Sequence, residues 1–363
     1  MEKINLSEMY VDDEIRRSVL EVLDSGRFVK GEVLRKFEGE FRDFCSAKYA
    51  IGLSSGTAAI LLSLIAVGIG KGDEVIVPSH TFIATATPIL FLGAKPIFVD
   101  IDLETYTIDP IDVEDKITDR TKAIIPVHLY GHPSDMDPII DLAQDNGFHV
   151  IEDSCQAHGA LCKNEKVGTI GDIGCFSFYP SKNMTVCGDG GMVVTNDEEL
   201  ADKIYMLRDH GRREEDKHIH RILGLNFRLS EIHSAIGRQQ LKHLPGWIEK
   251  RRKVADLYTK LLEDVDQITT PIEKEWARHV YHLYVIRTPQ RDGLREHLEK
   301  SGVGTGIHYP LPVHRQPCMG DSRYLALPNT EKCAREVLSL PIHPQLTEGQ
   351  VEYVVNTIKA WRR

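Results

Sequence analysis

The chain has 363 residues, 42% of them hydrophobic, and a formal charge of −10; it can bury one large and one smaller core, and its acidity excludes a general nucleic-acid or anionic-membrane surface. No run approaches the roughly 20 apolar residues that span a bilayer, and the opening Met1-Glu2-Lys3-Ile4-Asn5-Leu6 lacks an apolar signal core. The seven cysteines (Cys45, Cys155, Cys162, Cys175, Cys187, Cys318, Cys333) form no C-x-x-C pair and no zinc-site spacing, so the expectation is a soluble, cytoplasmic protein without a metal.

Apolar periodicity predicts a first helix over 14–23. Ala50-Ile51-Gly52-Leu53 then reads as a strand, Ser55-Gly56-Thr57 as a tight turn and 57–67 as a helix. Such a start offers free backbone N–H groups and a positive dipole end to a phosphate. It has neither the Walker A lysine nor a G-x-G-x-x-G pattern, and Ser or Thr also caps helices that bind nothing. Strand-like runs at 74–77, 96–99, 123–127 and 148–151 are separated by helix-length segments, among them the predicted helices 83–92 and 136–144, which is the pattern of a largely parallel sheet. The last of these strands runs into Asp153-Ser154-Cys155-Gln156-Ala157-His158-Gly159. A carboxylate at the carboxyl end of such a strand stands where α/β proteins bind ligands; the alternative is a helix N-cap.

Residues 175–179 and 192–195 read as two further strands, and between them Pro180, Lys182 and a glycine-rich turn, Gly188-Asp189-Gly190-Gly191, form a loop. A lysine whose ammonium form is disfavoured by burial becomes a nucleophile that condenses with an aldehyde as a Schiff base. The alternative is a hairpin-like connection whose lysine reaches solvent. Pyridoxal phosphate (PLP) chemistry needs such a lysine together with an acid against the ring nitrogen, and Asp153 would supply the acid. Beyond this loop come a helix over 198–208, capped by Asn196 or Asp197, and the stretch His210 to Arg221 with Arg212, Arg213, Lys217, His218 and His220. That stretch is either a local basic patch or a charge-balanced, solvated loop around Glu214, Glu215 and Asp216, and its two histidines lack a partnering ligand set. A helix over 230–244 is expected to end at Pro245-Gly246, with a further helix over 247–262 leading into a small domain. A strand over 281–287, a helix over 291–301 and the run Gly302 to His314 follow.

In chain order, Ser55-Gly56-Thr57-Ala58, Gly72 to Pro78 with Thr81-Phe82, Gly93 to Asp100, Glu152-Asp153 through Gly159, Ser177-Phe178, Lys182-Asn183, Gly188 to Gly191, Gly224 to Glu231 with Asn226 and Arg228, and His308-Tyr309-Pro310 resemble the DegT/DnrJ/EryC1/StrS family of PLP-dependent sugar aminotransferases, a branch of the fold type I aminotransferases. The resemblance covers nearly the whole length. It implies an α/β fold: a large PLP-binding domain, 1–245, with a mostly parallel seven-stranded sheet flanked by helices, and a smaller C-terminal α+β domain, 246–363. It implies that Lys182 binds the cofactor covalently and shuttles the substrate proton, and that Asp153 holds the pyridine nitrogen. Gln156 would bond the phenolic oxygen, Phe82 would stack on the ring, and Gly56, Thr57 and Ser177 would cradle the phosphate. Asn226 would reach the phosphate of the neighbouring subunit's cofactor, which implies a homodimer with shared active sites.

The resemblance further implies that His308 and Tyr309 contact the sugar; Arg228 is another candidate for binding substrate, and, if the stretch 210–221 is a basic patch, some of Arg212, Arg213, Lys217 and Arg221 would meet the diphosphate of a nucleotide-linked sugar. Cys155 stands where the family more often has alanine, and a small buried thiol fits there without a redox role. The implied reaction moves an amino group from glutamate, or from glutamine, to a keto group of a nucleotide-linked sugar for amino-sugar and cell-surface polysaccharide synthesis. His308-Tyr309-Pro310-Leu311-Pro312-Val313-His314 looks more like members acting at C3 than at C4. Relatives that dehydrate or deoxygenate sugars replace the lysine, typically by histidine, so Lys182 argues against that chemistry. A C4 aminotransferase, or a PLP-binding regulatory member without catalysis, are the alternatives.

Overall fold

A computed structural model describes residues 3–361, so the first two and last two residues of the expected domains lie outside it. Helix α1 (Asp13–Ser25) starts where the Asp12 side chain accepts the Ile15 N–H and stops at Gly26, whose φ of 65° ends the helix without a Cβ penalty. Seven strands, β1 (Tyr49–Leu53), β2 (Glu74–Pro78), β3 (Lys95–Val99), β4 (Thr121–Ile124), β5 (His149–Asp153), β6 (Ile173–Ser177) and β7 (Gly191–Thr195), form one sheet in the order β1-β7-β6-β5-β4-β2-β3. Strands β3, β2, β4, β5 and β6 pair in parallel, and β7 runs antiparallel to both β6 and β1. This is the expected mostly parallel sheet, and it brings the carboxyl ends of β1, β2, β5 and β6 to one edge.

The helices that follow in this part are α2 (Glu32–Cys45), α3 (Gly56–Ala66), α4 (Thr87–Phe91), α5 (Pro110–Glu114), α6 (Met136–Asn146), α7 (Glu198–Arg208) and α8 (Glu231–Leu262). Alternation along the strands sorts apolar residues to the two faces of the sheet. Ile76, Val150, Phe176 and Met192 pack with α2, α6 and α8, while Val75, Val77, Ile151 and Val193 pack with α3 and α7. Helix α3 is apolar on nearly every side because it is covered by the sheet on one face and by α7 and α4 on others. Strands β8 (Tyr284–Arg287) and β9 (Val337–Leu340) pair antiparallel and pack with α9 (Arg291–Lys300) and α11 (Glu348–Ala360) in a C-terminal core that also takes Ile4 from the start of the chain; α10 (Pro328–Glu336) leads into β9.

Two expectations about helices fail. Residues 83–92 do not form one helix: a 3-10 turn at Ile83–Thr85 precedes the short α4, because Pro88 is tolerated in the first helical turn but not in an interior. The break at Pro245-Gly246 does not occur, since α8 continues through Pro245 for 32 residues. Leu241, Leu244 and Ile248 stay in phase on the sheet core, and Val254, Ala255, Tyr258 and Leu262 reach the C-terminal core. Burial of these residues, each worth roughly 1.5–3 kcal/mol for a large apolar side chain, exceeds the ~3 kcal/mol cost of an interior proline.

Candidate active site

At the carboxyl edge of the sheet lies a cavity of about 430 Å3 lined by Gly56, Thr57, Phe82, Asp153, Gln156, Ser177, Lys182, His308 and Tyr309. Its size is that of a site for a small organic ligand. The predicted residues come from separate elements: Gly56 and Thr57 open α3, Phe82 follows β2, Asp153 ends β5, Ser177 ends β6, and Lys182 sits in the β6–β7 connection.

That connection is hairpin-like, as one reading had it, yet its lysine does not point into open solvent. The Lys182 N–H donates to the Tyr179 carbonyl (2.9 Å), Val186 N–H to the Phe178 carbonyl (3.2 Å) and Phe178 N–H to the Gly190 carbonyl (2.8 Å), so the loop is pinned with Lys182 on the cavity wall. Burial holds the Lys182 ammonium below its ordinary pKa, opposed by the nearby Cys155 and Asp153. Asp153 is buried and oriented on both oxygens: the Thr85 hydroxyl donates to Oδ2 (2.8 Å) and the Cys155 N–H to Oδ1 (3.2 Å). With Thr85 donating to the carboxylate, the hydroxyl of Thr81 must be the donor in the 3.0 Å contact between the two threonines. Gln156 accepts the Tyr130 N–H on Oε1 (2.9 Å) and donates from Nε2 to the Tyr309 hydroxyl (3.2 Å).

The α3 start has the geometry of an anion site. Ser55 caps the helix by accepting the Ala58 N–H (3.1 Å), and the N–H groups of Gly56 and Thr57, both on the cavity, have no intrahelical acceptor. A Cβ at Gly56 would lie 2.8 Å from Ser177 Cβ and 2.9 Å from Cys155 Sγ, which is why glycine is needed where the helix meets β6. Cys155 is the thiol against this start, and burial, with the Asp153 charge, pushes its pKa well up, so it stays protonated. His308 is neutral, pushed down to about 4 by burial and then by the Lys182 charge. Phe82 and Tyr309 face each other across the cavity with ring centroids 5.8 Å apart.

The predicted residues Arg212, Arg213, Lys217, Arg221, Asn226 and Arg228 lie outside the cavity in this chain. Arg212 and Arg228 both donate to the buried carboxylate of Asp209, which Lys30 also contacts at 2.6 Å. Those donors outweigh burial and hold the Asp209 pKa well below the carboxylate range. Arg213 pairs with Asp202 and Arg221 with Asp216, and Lys217 offers its carbonyl to Arg212. Asn226 is exposed, bridged to Asp209 through the backbone, with Leu223 94% and Leu225 60% exposed beside it. Sequence reasoning missed Thr85 and Tyr130. Thr85 was placed inside a helix, and Tyr130 carries no motif of its own. It also passed over Tyr179, which lines the cavity beside the lysine loop. Among the described residues no group of three or more His, Cys, Asp or Glu side chains is placed to hold a metal, and no helix is long and apolar enough to cross a membrane.

Comparison with known proteins gives the chain's family. A sequence model of the DegT/DnrJ/EryC1/StrS aminotransferase family matches residues 9–359. The chain is 46% identical over 366 residues to a Geobacillus stearothermophilus protein named pleiotropic regulatory protein, covering 99% of this chain and 98% of that one. It is 43% identical over 350 residues to the dTDP-3-amino-3,4,6-trideoxy-alpha-D-glucose transaminase of Streptomyces venezuelae, covering 96% and 92%. The crystal structure of S. venezuelae DesV in complex with a ketimine intermediate superposes with a TM-score of 0.97 at 41% identity, over 99% of both chains.

Proposed function

The chain belongs to the DegT/DnrJ/EryC1/StrS aminotransferase family and is a PLP-dependent aminotransferase, and on that premise we propose that it transfers an amino group from glutamate or glutamine to the C3 keto group of a nucleotide-linked sugar. The observation that carries the reading is the convergence of Lys182 and Asp153 in one cavity, each without a competing ion pair among the described residues. The residues fit the cofactor: an amine below its usual pKa, an oriented carboxylate, and a glycine-tight helix start with free N–H groups. When bound, PLP supplies an aldehyde for the amine and a ring that delocalises carbanion charge.

This chain's residues would then divide the work. Asp153, held by Thr85 and the Cys155 N–H, would keep a proton on the ring nitrogen. Gly56, Thr57 and Ser177 would hold the phosphate, Gln156 would donate to the phenolic oxygen, and Phe82 would cover the ring. Lys182, whose burial lowers its pKa from the ordinary lysine value, would take the proton from the donor's α-carbon and deliver one to the carbon being aminated. His308 and Tyr309 contact the sugar, and the 3-amino sugar in the name of the S. venezuelae relative supports C3.

A homodimer in the cytoplasm is part of the reading. The exposed Asn226 among exposed Leu223 and Leu225 supports a second copy covering this face, and Arg212 and Arg228, both held on Asp209, would meet the nucleotide diphosphate from there. The deciding experiment follows the absorbance of PLP-loaded protein during titration with L-glutamate and then with 3-keto and 4-keto nucleotide sugars. Bleaching by glutamate and recovery with a 3-keto sugar is the expected result; recovery with a 4-keto sugar alone moves the reaction to C4. The name of the G. stearothermophilus relative favours one further reading, a regulatory role. A Lys182→Ala chain that still rescued a regulatory phenotype would support it.

A further inference from the structure

Tyr130 lies outside the cavity, 2% exposed, in the turn Leu129–Gly131 after β4, and its backbone is left-handed (φ 59°, ψ 1°), a conformation uncommon for a bulky residue. Every polar group it carries is engaged. Its N–H donates to Gln156 Oε1 (2.9 Å), its carbonyl accepts the Leu283 N–H (3.2 Å), and its hydroxyl contacts both His80 Nε2 (2.7 Å) and the His308 carbonyl.

Proton counting orders this network. The His308 carbonyl can only accept, so the single phenolic hydrogen goes to it, and His80 Nε2 must donate to the phenolic oxygen. His80 is therefore the neutral Nε2–H tautomer with a bare Nδ1. That Nδ1 has no hydrogen-bond partner among the described residues, and burial pushes the ring's pKa down to about 3. The same logic fixes the Gln156 amide. Its oxygen faces the Tyr130 N–H, so its NH2 end points to Tyr309 and the cavity; the flipped amide would set N–H against N–H.

We propose that Tyr130 is a positioning residue that ties the His308–Tyr309 segment to the sheet edge, its hydroxyl setting the sugar-facing wall while its backbone N–H sets the Gln156 donor. The proposal rests on the reading above that His308 and Tyr309 meet the sugar and Gln156 the cofactor. Tyr130 also packs edge-on against Tyr106 (5.5 Å) in a cluster with Leu283 and Val285, against which Tyr309 packs, so the pin stands on a rigid base where the sheet meets the C-terminal segment.

Tyr130→Phe keeps the ring and the backbone N–H and removes the hydroxyl alone. Expected are a cofactor Kd and an amino-donor KM within about twofold of wild type, a ketosugar KM raised roughly tenfold from the orphaned carbonyl, and faster hydrogen exchange over 306–311 in the holoenzyme without substrate. His80→Gln, which keeps a donor to the phenolic oxygen, should stay near wild-type exchange over 306–311, whereas His80→Leu, which leaves the Tyr130–His308 bond in place, should raise it less than Tyr130→Phe does. Equal rises in both KM values, or wild-type exchange over 306–311 in Tyr130→Phe, overturn the proposal. If wild type aminates no nucleotide sugar while the exchange still rises in Tyr130→Phe, the tie stands and the sugar reading falls.

Discussion

Lys182 and Asp153 illustrate how burial and hydrogen bonding prepare a residue before any ligand arrives. The lysine is kept from a carboxylate partner and desolvated, which lowers its pKa and favours the neutral amine. Replacing it by alanine should leave noncovalent cofactor binding while transamination falls by about 10^3-fold or more, read by absorbance and by single-turnover assay. Thr85 is the less visible partner. Thr85→Val removes the donor to Asp153 Oδ2 and leaves a buried carboxylate oxygen unpaired; turnover and cofactor affinity should each fall roughly tenfold, and wild-type values in both would remove Thr85 from the site. Asp153 was legible because it ends a strand, a local pattern. Thr85 was not, because its role depends on a 3-10 turn set by Pro88 and on a strand 68 residues away.

Among the elements, the junction of β7, β6 and the α3 start decides whether the phosphate cradle can form. A Cβ at Gly191 would lie 2.3 Å from the Ser55 carbonyl oxygen and 2.8 Å from the Gly56 nitrogen, and these are backbone atoms with no rotamer to yield. Gly191→Ala should therefore push α3 away from β7, cost about 1–3 kcal/mol of stability as overpacking does, and weaken cofactor binding by more than the fall in melting temperature explains. Thermal scans with and without PLP measure both. Helix α8 carries the opposite lesson, that a local signal can lose. Pro245-Gly246 is a legitimate stop in sequence, yet the in-phase apolar stripe on both sides of it continues the helix. The proposed two-domain division, 1–245 and 246–363, accordingly falls inside an unbroken element.

Over the whole molecule, acid sensitivity follows from buried neutral histidines. Burial lowers His80 and His158 to about 3, and His132 and His308 to about 4, and places His279 and His282 well below the ordinary value. In the unfolded chain each titrates near 6.5. The folded form binds fewer protons between these values, so stability is complete above about pH 6.5 and is lost as pH falls toward 4 and 3, by up to about 1.4 kcal/mol per pH unit for each histidine. Melting temperature should be flat from pH 8 to 7 and fall steeply below 6; a flat profile down to pH 5 would contradict the assigned protonation states. The proposed dimer has its own test at this scale. Coexpressed Lys182→Ala and Asn226→Ala chains should regain one working site per mixed dimer, since one site then has both residues intact, whereas an Asn226 that acts within its own chain gives no recovery.

What the sequence by itself determined is what short-range physics encodes: the alternating strands and capped helices, the carboxylate at a strand end, the serine-capped helix start and the lysine in a glycine-rich connection. Periodicity, capping and turn chemistry act over a few residues, so these features are visible in order along the chain. Only the tertiary structure decided the rest. It gathered Arg212, Arg228 and Lys30 onto Asp209 rather than into the cavity, carried α8 through its proline, and joined Tyr130 to His308 across 178 residues. Such partners are chosen by three-dimensional packing, in which a buried polar group bonds to whichever atom the fold brings within reach, and no spacing along the chain records that choice.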